Sequence, residues 1–255
     1  MYADPLEVFP KAAYRRGSII KWHCRKGSDM VRRFNHFMTS LGSKVVVALS
    51  GLGLAGFVVF HMLGNLQIFE GADALNSYAA FLRDMPILLW TARLGLMSIV
   101  VLHIGLAIRL ALHNRRARPV AYAVHEYRRA SVASRTMTVT GSLLLLFILF
   151  HLLHLTAGVV DPSFSDRLDF QGRRDVYGKV VHAFHNPLIV ALYFAGQIAL
   201  GLHLSHALSS SLQTLGLEHP ALNGLFKAAG PAVALLVVLG NMAIILAVVL
   251  GFVRA

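Results

Sequence analysis

Five long apolar segments alternate with polar ones along the chain. Each is close to or above the roughly 20 residues that an α-helix needs to cross a bilayer, and few charged residues interrupt them. One such segment can be the buried helix of a soluble protein, but five of them in 255 residues predict an all-α, integral membrane bundle of five transmembrane helices. The predicted spans are Val45–Phe69, Ile87–Leu112, Thr136–Val160, Leu188–Leu212 and Ala232–Val253.

The composition and the placement of charge agree with a membrane protein. Hydrophobic residues make up 56% of the chain and charged residues 14%, whereas about a quarter of a soluble domain is charged. Of the 24 Lys and Arg residues, nine lie in residues 11–44 and seven in residues 109–135. Clusters of this kind beside apolar spans are typical of loops kept on the cytoplasmic side, and no nucleic-acid-binding motif accompanies them.

We therefore expect residues 1–44 to form a cytoplasmic N-terminal extension and residues 45–255 to form the transmembrane domain. Five alternating crossings then leave the C-terminus outside. The loop Asp161–Pro187 is too long for a tight turn and has room for a small surface helix. The single cysteine, Cys24, excludes an internal disulfide framework and a CxxCH attachment site for c-type haem.

Six of the 13 histidines lie inside four of the predicted spans. An ionisable side chain at membrane depth is costly and usually faces the bundle interior with a partner. One histidine in each of the four helices lies 15 or 16 residues from the start of its span. That spacing is about 23 Å into a hydrocarbon core about 30 Å thick. These four histidines are His61, His103, His151 and His203.

Because successive spans run in opposite directions, equal spacing places the four histidines in two layers. His61 and His151 meet near the outer face, and His103 and His203 meet near the inner face. Paired imidazoles on facing helices can supply both axial ligands of a haem iron. The sequence therefore predicts two b-type haems, with irons about 15 Å apart along the membrane normal.

Two further histidines lie close to the predicted ligands. His154 and His206 follow His151 and His203 by about one helical turn, so they compete for the ligand role. Equal depth favours the first histidine of each pair. His154 and His206 are then expected to hydrogen-bond to a haem propionate or to a ligand.

Glycines and arginines could also contact the cofactors. Gly51, Gly53 and Gly56 precede His61 on the first span, and their small size would let a flat macrocycle approach, although it would also serve plain helix packing. Arg109 and Arg93 lie toward the inner and outer ends of the second span. Each guanidinium could pair with a haem propionate or extend to the lipid headgroups instead.

Four stretches of the chain resemble the single-subunit, di-haem cytochrome b membrane anchors of bacterial succinate dehydrogenases and fumarate reductases. They surround the four predicted ligands and cover most of residues 40–220; they read SGLGLAGFVVFHMLGNLQIF, LHIGLAIRLALHNRRARPVAY, TGSLLLLFILFHLLH and GLHLSHALSSSLQTLG. The length of the apolar run before the first and third ligands in that family implies His61 and His151. The glycine that ends the fourth helix, matched by Gly216, implies His203 over His206. The N-terminal extension, up to about Met38, has no counterpart in the family.

The resemblance implies a membrane anchor that carries electrons between an iron–sulfur subunit and a quinone, generally menaquinone in di-haem members. A flavoprotein subunit would hold the dehydrogenase active site, because this chain has neither a flavin motif nor iron–sulfur cysteines. The family's acidic residue for quinone chemistry follows the first helix, where Glu70 is the nearest carboxylate. The implied location is the bacterial cytoplasmic membrane, where the complex could form a higher oligomer.

Two other functions fit parts of this pattern. The cytochrome b anchors of formate dehydrogenases and hydrogenases also hold two haems through membrane histidines, but the stretches quoted above fit them poorly. A proton- or metal-coupled transporter could also use intramembrane histidines. Transporters usually have inverted repeats and interrupted helices and carboxylates inside their spans, and the sequence indicates no repeat, no interruption and no Asp or Glu in the span cores.

Overall fold

The computed structural model describes residues 40–117, 131–164, 166–217, 219, 221 and 223–254. The predicted N-terminal extension therefore lies outside the described residues, except for its last five. Within the described part, five helices are long and apolar enough to cross a membrane, and no residue forms a β-strand. The prediction of an all-α chain with five helices of membrane length is confirmed. The α-helices of eight or more residues are α1 (Ser40–Asn65), α2 (Ala72–Arg83), α3 (Pro86–Arg116), α4 (Met137–His151), α5 (Val176–Ala183), α6 (Pro187–Thr214) and α7 (Asn223–Val249), and a short helix, Val132–Arg135, precedes α4.

The local sequence explains where several helices begin and end. α3 and α6 begin at Pro86 and Pro187, because the first residue of a helix needs no amide proton. The side chain of Asn186 accepts a hydrogen bond from the Leu188 amide at 2.9 Å and so caps the start of α6. Gly216 follows α6 with φ of 72°, a left-handed conformation that commonly ends helices.

The fifth long helix starts earlier than hydropathy indicates. α7 begins at Asn223 and not at the predicted Ala232, so Pro231 lies inside the helix. An apolar helix tolerates proline because neighbouring helices can satisfy the freed backbone groups. Gly230 lets α7 cross close to α6, since a Cβ atom there would collide with the Ser205 carbonyl oxygen. The prediction that the connection before this span extends to Pro231 was wrong, because the helix continues through Pro231 back to Asn223.

The third span contains a change of helix type. α4 is α-helical up to His151 and continues as one π-helical turn over Leu152–Thr156. The predicted span ran further, to Val160, and an interrupted helix was not expected. A π turn is wider than an α turn, so the spacing of His151 and His154 in the sequence does not give their relative directions.

α1 lies at the centre of the helix arrangement. It packs against α3 on one side and against α6 and α7 on the other, and α6 also packs against α4 and α7. The resulting order is α3, α1, α6, α4, with α7 against both α1 and α6. Successive long helices are antiparallel, so α1 and α4 run in the same direction and α3 and α6 run in the opposite one.

The connections α1–α3 and α4–α6 pack together where α1 and α4 end. The helix α5 is the small helix expected in the long loop, and it contacts α2. The buried side chain of Asn76 joins the two connections, because its amide donates to Asp169 at 3.3 Å and its oxygen accepts from the Tyr177 amide at 2.9 Å. Arg173 forms ion pairs with Asp73 at 2.8 Å and with Asp169 at 2.7 Å. Although burial raises the pKa of Asp169, the hydrogen bonds from Arg173 hold it below its ordinary value.

Candidate functional site: two histidine layers

His61 on α1 and His151 on α4 lie together, and we call this pair the His61 layer. Their ring centroids are 5.9 Å apart and the rings are nearly perpendicular. The two helices that carry them do not pack closely in the described part of the chain, so the two imidazoles project into the space between them. Phe57 stacks on His61 at 5.5 Å, and Phe147 lies 6.1 Å from His151.

Tyr193 on α6 supports the His61 layer from one side. Its hydroxyl lies 3.3 Å from Nδ1 of His151 and 3.0 Å from Nδ1 of His154. His154 belongs to the π-helical turn and is buried. The structure therefore brings His154 next to the histidine pair, in contact with the residue that also supports His151.

His103 on α3 and His203 on α6 form the second layer, which we call the His103 layer. Each contacts a side-chain hydroxyl, His103 one on α1 and His203 one on α4. Nδ1 of His103 lies 3.1 Å from the Ser50 hydroxyl of α1. Nδ1 of His203 lies 3.2 Å from the Thr140 hydroxyl of α4. Sequence reasoning did not identify Ser50 or Thr140 as site residues.

A glycine follows each hydroxyl residue and lies under the imidazole ring. A Cβ atom at Gly51 would be 3.2 Å from Cε1 of His103, and one at Gly141 would be 3.3 Å from Cε1 of His203. A side chain at either position would press on the ring. Gly51 was expected to admit a macrocycle, but in the structure it admits the imidazole of the neighbouring helix.

The separation of the two layers follows from helix geometry. Ser50 precedes His61 by eleven residues, and Thr140 precedes His151 by eleven residues. Eleven residues are within about 20° of three full turns and rise about 16 Å. The hydroxyls therefore lie on the same helix faces as the histidines, about 16 Å away along the bundle.

This arrangement reveals an internal repeat that the sequence analysis missed. Residues of α1 match residues of α4 at an offset of 90: a Ser or Thr, a Gly, two Phe and a His, namely Ser50, Gly51, Phe57, Phe60 and His61 with Thr140, Gly141, Phe147, Phe150 and His151. The histidines of α3 and α6 match at an offset of 100. Each repeat is an antiparallel pair of long helices, and the two repeats run in the same direction.

Gly53 and Gly56 do not lie on the histidine face of α1. Helical spacing places them about 80° and 140° from His61 around the helix axis, in line with the exposed side chains of Leu49 and Phe60. A Cβ atom at either glycine would meet nothing within 4 Å. The structure therefore gives no support to the expectation that these two glycines contact the cofactor.

The remaining predicted residues lie at the two ends of the bundle. Arg93 matches Tyr193 in the repeat and so lies at the depth of the His61 layer; its guanidinium stacks over Trp90 at 5.2 Å. Arg109 is exposed, two turns beyond His103. Glu70 is exposed at the end of the short 3₁₀ helix that follows α1. His206 is partly buried on α6.

A cavity of about 570 Å³ opens beside the His61 layer. Its polar lining includes His182 and Asp161, whose Nε2 and Oδ2 atoms lie 2.9 Å apart. The ring of Phe164 stacks on His182 at 4.7 Å. A hydrogen bond from the Ser163 side chain, helped by His182, holds the pKa of Asp161 below its ordinary value. The residues lining the cavity are His154, Val160, Asp161, His182, Ala183, His185, Asn186, Pro187 and Ile189.

The dimensions of the His61 layer fit a haem iron held between two imidazoles. An imidazole nitrogen lies about 2 Å from a metal that it binds, so two rings on opposite sides of one ion have centroids about 6 Å apart. The observed 5.9 Å agrees with that value. In the His103 layer, and in His151, Nδ1 is the nitrogen that contacts the protein, which leaves Nε2 to face a cofactor.

No protein-family model matches the chain, and no curated protein and no solved structure matches it. The function proposed below therefore depends on the residues and their geometry.

Proposed function

We propose that the chain is the membrane-anchor cytochrome b subunit of a succinate:quinone oxidoreductase or quinol:fumarate reductase. It carries electrons between an iron–sulfur subunit and a quinone, most simply menaquinone, in the bacterial cytoplasmic membrane. The observation that carries the proposal is the pair of histidine layers, each formed by one histidine from each repeat and about 16 Å apart. A single histidine in an apolar helix has many structural uses, but two layers at two depths, each with one histidine from each repeat, suit two haems.

Four histidines would hold the haems: His61 and His151 one of them, and His103 and His203 the other. Bound haem supplies reversible one-electron chemistry at iron. The protein would fix the ring orientations through Ser50, Thr140 and Tyr193. Arg93 lies at the depth of the His61 layer, and Arg109 lies about 9 Å beyond His103 along α3; each could pair with a haem propionate.

The charge at the two ends of the bundle suggests how electrons enter. The end nearer the His103 layer carries exposed basic side chains, while the other end mixes acidic and basic residues. The positive-inside rule then favours the His103 end as the cytoplasmic one. The basic residues described at that end are Lys44, Arg109, Arg115, Arg116, Arg135 and Lys227. The iron–sulfur subunit, with the flavoprotein subunit bound to it, would dock there through a complementary surface.

The cavity beside the His61 layer is the better candidate for the quinone than the surroundings of Glu70. It has a volume typical of ligand pockets and brings an imidazole–carboxylate pair, His182 and Asp161, to the same space as His154. Such groups can exchange the protons that accompany quinone reduction. Glu70 does not line this cavity.

An optical spectrum of the purified chain tests the proposal. We expect an α-band on reduction with dithionite and about two haems per chain in a pyridine haemochrome assay. When the chain is purified with its partner subunits, succinate should reduce at least one of the haems. Haem without reduction by succinate would favour the anchor of another respiratory dehydrogenase, and absence of haem would favour a histidine-using transporter and contradict the proposal.

A further inference from the structure

Ser50 and Thr140 contact the histidines of the His103 layer in equivalent ways. Both hydroxyls are buried, and they lie 3.1 Å and 3.2 Å from Nδ1 of His103 and His203. The same contact thus occurs twice, between different helices, at positions related by the internal repeat. Two occurrences make an accident of packing a poor explanation.

Each hydroxyl lies closer to a carbonyl oxygen of its own helix than to the imidazole. Ser50 donates to the Val46 carbonyl at 2.7 Å, and Thr140 donates to the Thr136 carbonyl at 3.0 Å. A hydroxyl group has one proton and two lone pairs. With its proton committed to its own helix, each oxygen can only accept a hydrogen bond from the imidazole.

The imidazole that donates to such an oxygen carries its proton on Nδ1. In a neutral imidazole with the proton on Nδ1, Nε2 keeps a free lone pair.

We propose that Ser50 and Thr140 are positioning residues that set the tautomer of His103 and His203, so that each ring presents Nε2 to the haem iron. This role rests on the proposed function. An acceptor at Nδ1–H also makes the imidazole a stronger electron donor through Nε2. The two hydroxyls therefore lower the reduction potential of the haem in this layer, because a more basic ligand stabilises the ferric state.

Ser50→Ala and Thr140→Val remove the hydroxyls with little change in size. Both are best made in a His151→Ala protein, which keeps the His103/His203 haem alone, so that a redox titration measures one haem. We expect the midpoint potential to rise in each variant. Ser50→Thr and Thr140→Ser, which keep a hydroxyl, should return the potential toward its starting value.

Ser142→Ala is the matched control. Ser142 is exposed on α4, and its hydroxyl donates to the Thr138 carbonyl at 2.9 Å without reaching a histidine, so its loss should leave the potential unchanged. If Ser50→Ala loses the haem while Ser50→Thr keeps it, the hydroxyl role is supported. Unchanged potentials in both hydroxyl-deleted variants, or equal changes in the hydroxyl-keeping variants, would overturn it.

A second measurement needs no haem. Nitrogen NMR of the haem-free protein, labelled with ¹⁵N-histidine, distinguishes a protonated Nδ1 from a protonated Nε2. We expect the His103 signal, assigned by its loss in His103→Ala, to report a protonated Nδ1, and Ser50→Ala to shift it toward a mixture. A protonated Nε2 in the unsubstituted protein would overturn the inference. A protein that lacks haem but shows protonated Nδ1 would contradict the proposed function alone.

Discussion

The two histidine layers hold their imidazoles with different chemistry. In the His103 layer each ring has its own aliphatic hydroxyl, Ser50 or Thr140, on a neighbouring helix. In the His61 layer one phenol, Tyr193, lies between two imidazoles that belong to the same helix. In the His103 layer the two ligand rings therefore share no hydrogen-bonding partner. In the His61 layer the ligand His151 is coupled to a further histidine, His154, through Tyr193.

This difference decides how many proton arrangements each layer allows. The hydroxyls of the His103 layer can only accept, so a single arrangement is available there. Tyr193 has one proton for two imidazole nitrogens, so it donates to one ring and accepts from the other. If His151 binds iron through Nε2, Tyr193 accepts from His151 and donates to His154, which agrees with the shorter distance to His154. The His61 layer is therefore the one whose ligand can respond to events in the adjoining cavity.

The largest expected effect is the loss of one haem with retention of the other. His61→Ala or His151→Ala should remove the haem of the His61 layer, because one imidazole cannot hold it as two do. His103→Ala or His203→Ala should remove the other haem. Haem content and redox titration of the purified variants measure the result.

His113→Ala serves as the control for these four variants, since His113 is exposed near the end of α3 and should leave both haems in place. If His61→Ala and His103→Ala remove the same haem, the two layers do not hold separate haems, and the comparison between them is wrong. It also breaks if His151→Ala spares both.

A smaller effect on haem binding is expected from substitutions of two glycines of α1, Gly51 and Gly53, and it should differ between them. Gly51→Leu should displace the His103 ring, because even a Cβ atom there would lie 3.2 Å from it, and such overpacking costs about 1–3 kcal/mol. Gly53→Leu should have little effect, because its counterpart in the second repeat is Leu143, which is exposed. Titration of the haem-free protein with haem should show weaker binding in the His103 layer for the first variant alone.

Equal losses in the two glycine variants would place a haem against Gly53, as the sequence analysis expected. No loss in either would mean that the His103 ring moves freely away from α1.

The helices and the histidines were predictable because both give strong signals. A membrane-crossing helix needs a long apolar run, and an imidazole inside it is costly enough to indicate a partner. The start of α7 was not predictable from hydropathy, since Pro231 resembles a boundary and only its packing against α6 shows that the helix continues. The π-helical turn after His151 likewise leaves no mark in the apolar pattern.

The supporting residues of the site were hidden for a different reason. Ser50 and Thr140 bond to carbonyls of their own helices, as serines and threonines in apolar helices commonly do, so nothing in the sequence distinguishes them. Gly53 and Gly56 were chosen by their closeness to His61 in the sequence, whereas the helix turns them to another face. The repeat was obscured because the stretch from His151 to His203 is ten residues longer than the stretch from His61 to His103, which gives two offsets instead of one period.

A third test asks whether the two layers form a path across the membrane. If electrons enter at the His103 layer and reach a quinone at the His61 layer, each electron moves against or along the membrane potential, at about 2.3 kcal/mol per 100 mV for a full crossing. In sealed vesicles, an uncoupler should then change the rate of succinate oxidation by a low-potential quinone. Equal rates with and without the uncoupler, in vesicles shown to hold a potential, would mean that the quinone reacts beside the His103 layer.

The smallest effect is expected at the two histidines that do not bind iron, His154 and His206. Both haems should be retained in His154→Ala and in His206→Ala, because second-shell groups tune a ligand and do not hold the metal. His154→Ala should raise the potential of the haem in the His61 layer: Tyr193 loses the ring that takes its proton, and a hydroxyl that no longer donates is a weaker acceptor for His151. His206 makes no hydrogen bond with any residue that the structure describes, so its removal should shift the potential of the haem in the His103 layer less.

Redox titration of the two variants side by side measures this difference. Loss of a haem in either variant would transfer the ligand role to the substituted histidine, and a larger shift in His206→Ala would show that the coupling through Tyr193 does not distinguish the layers.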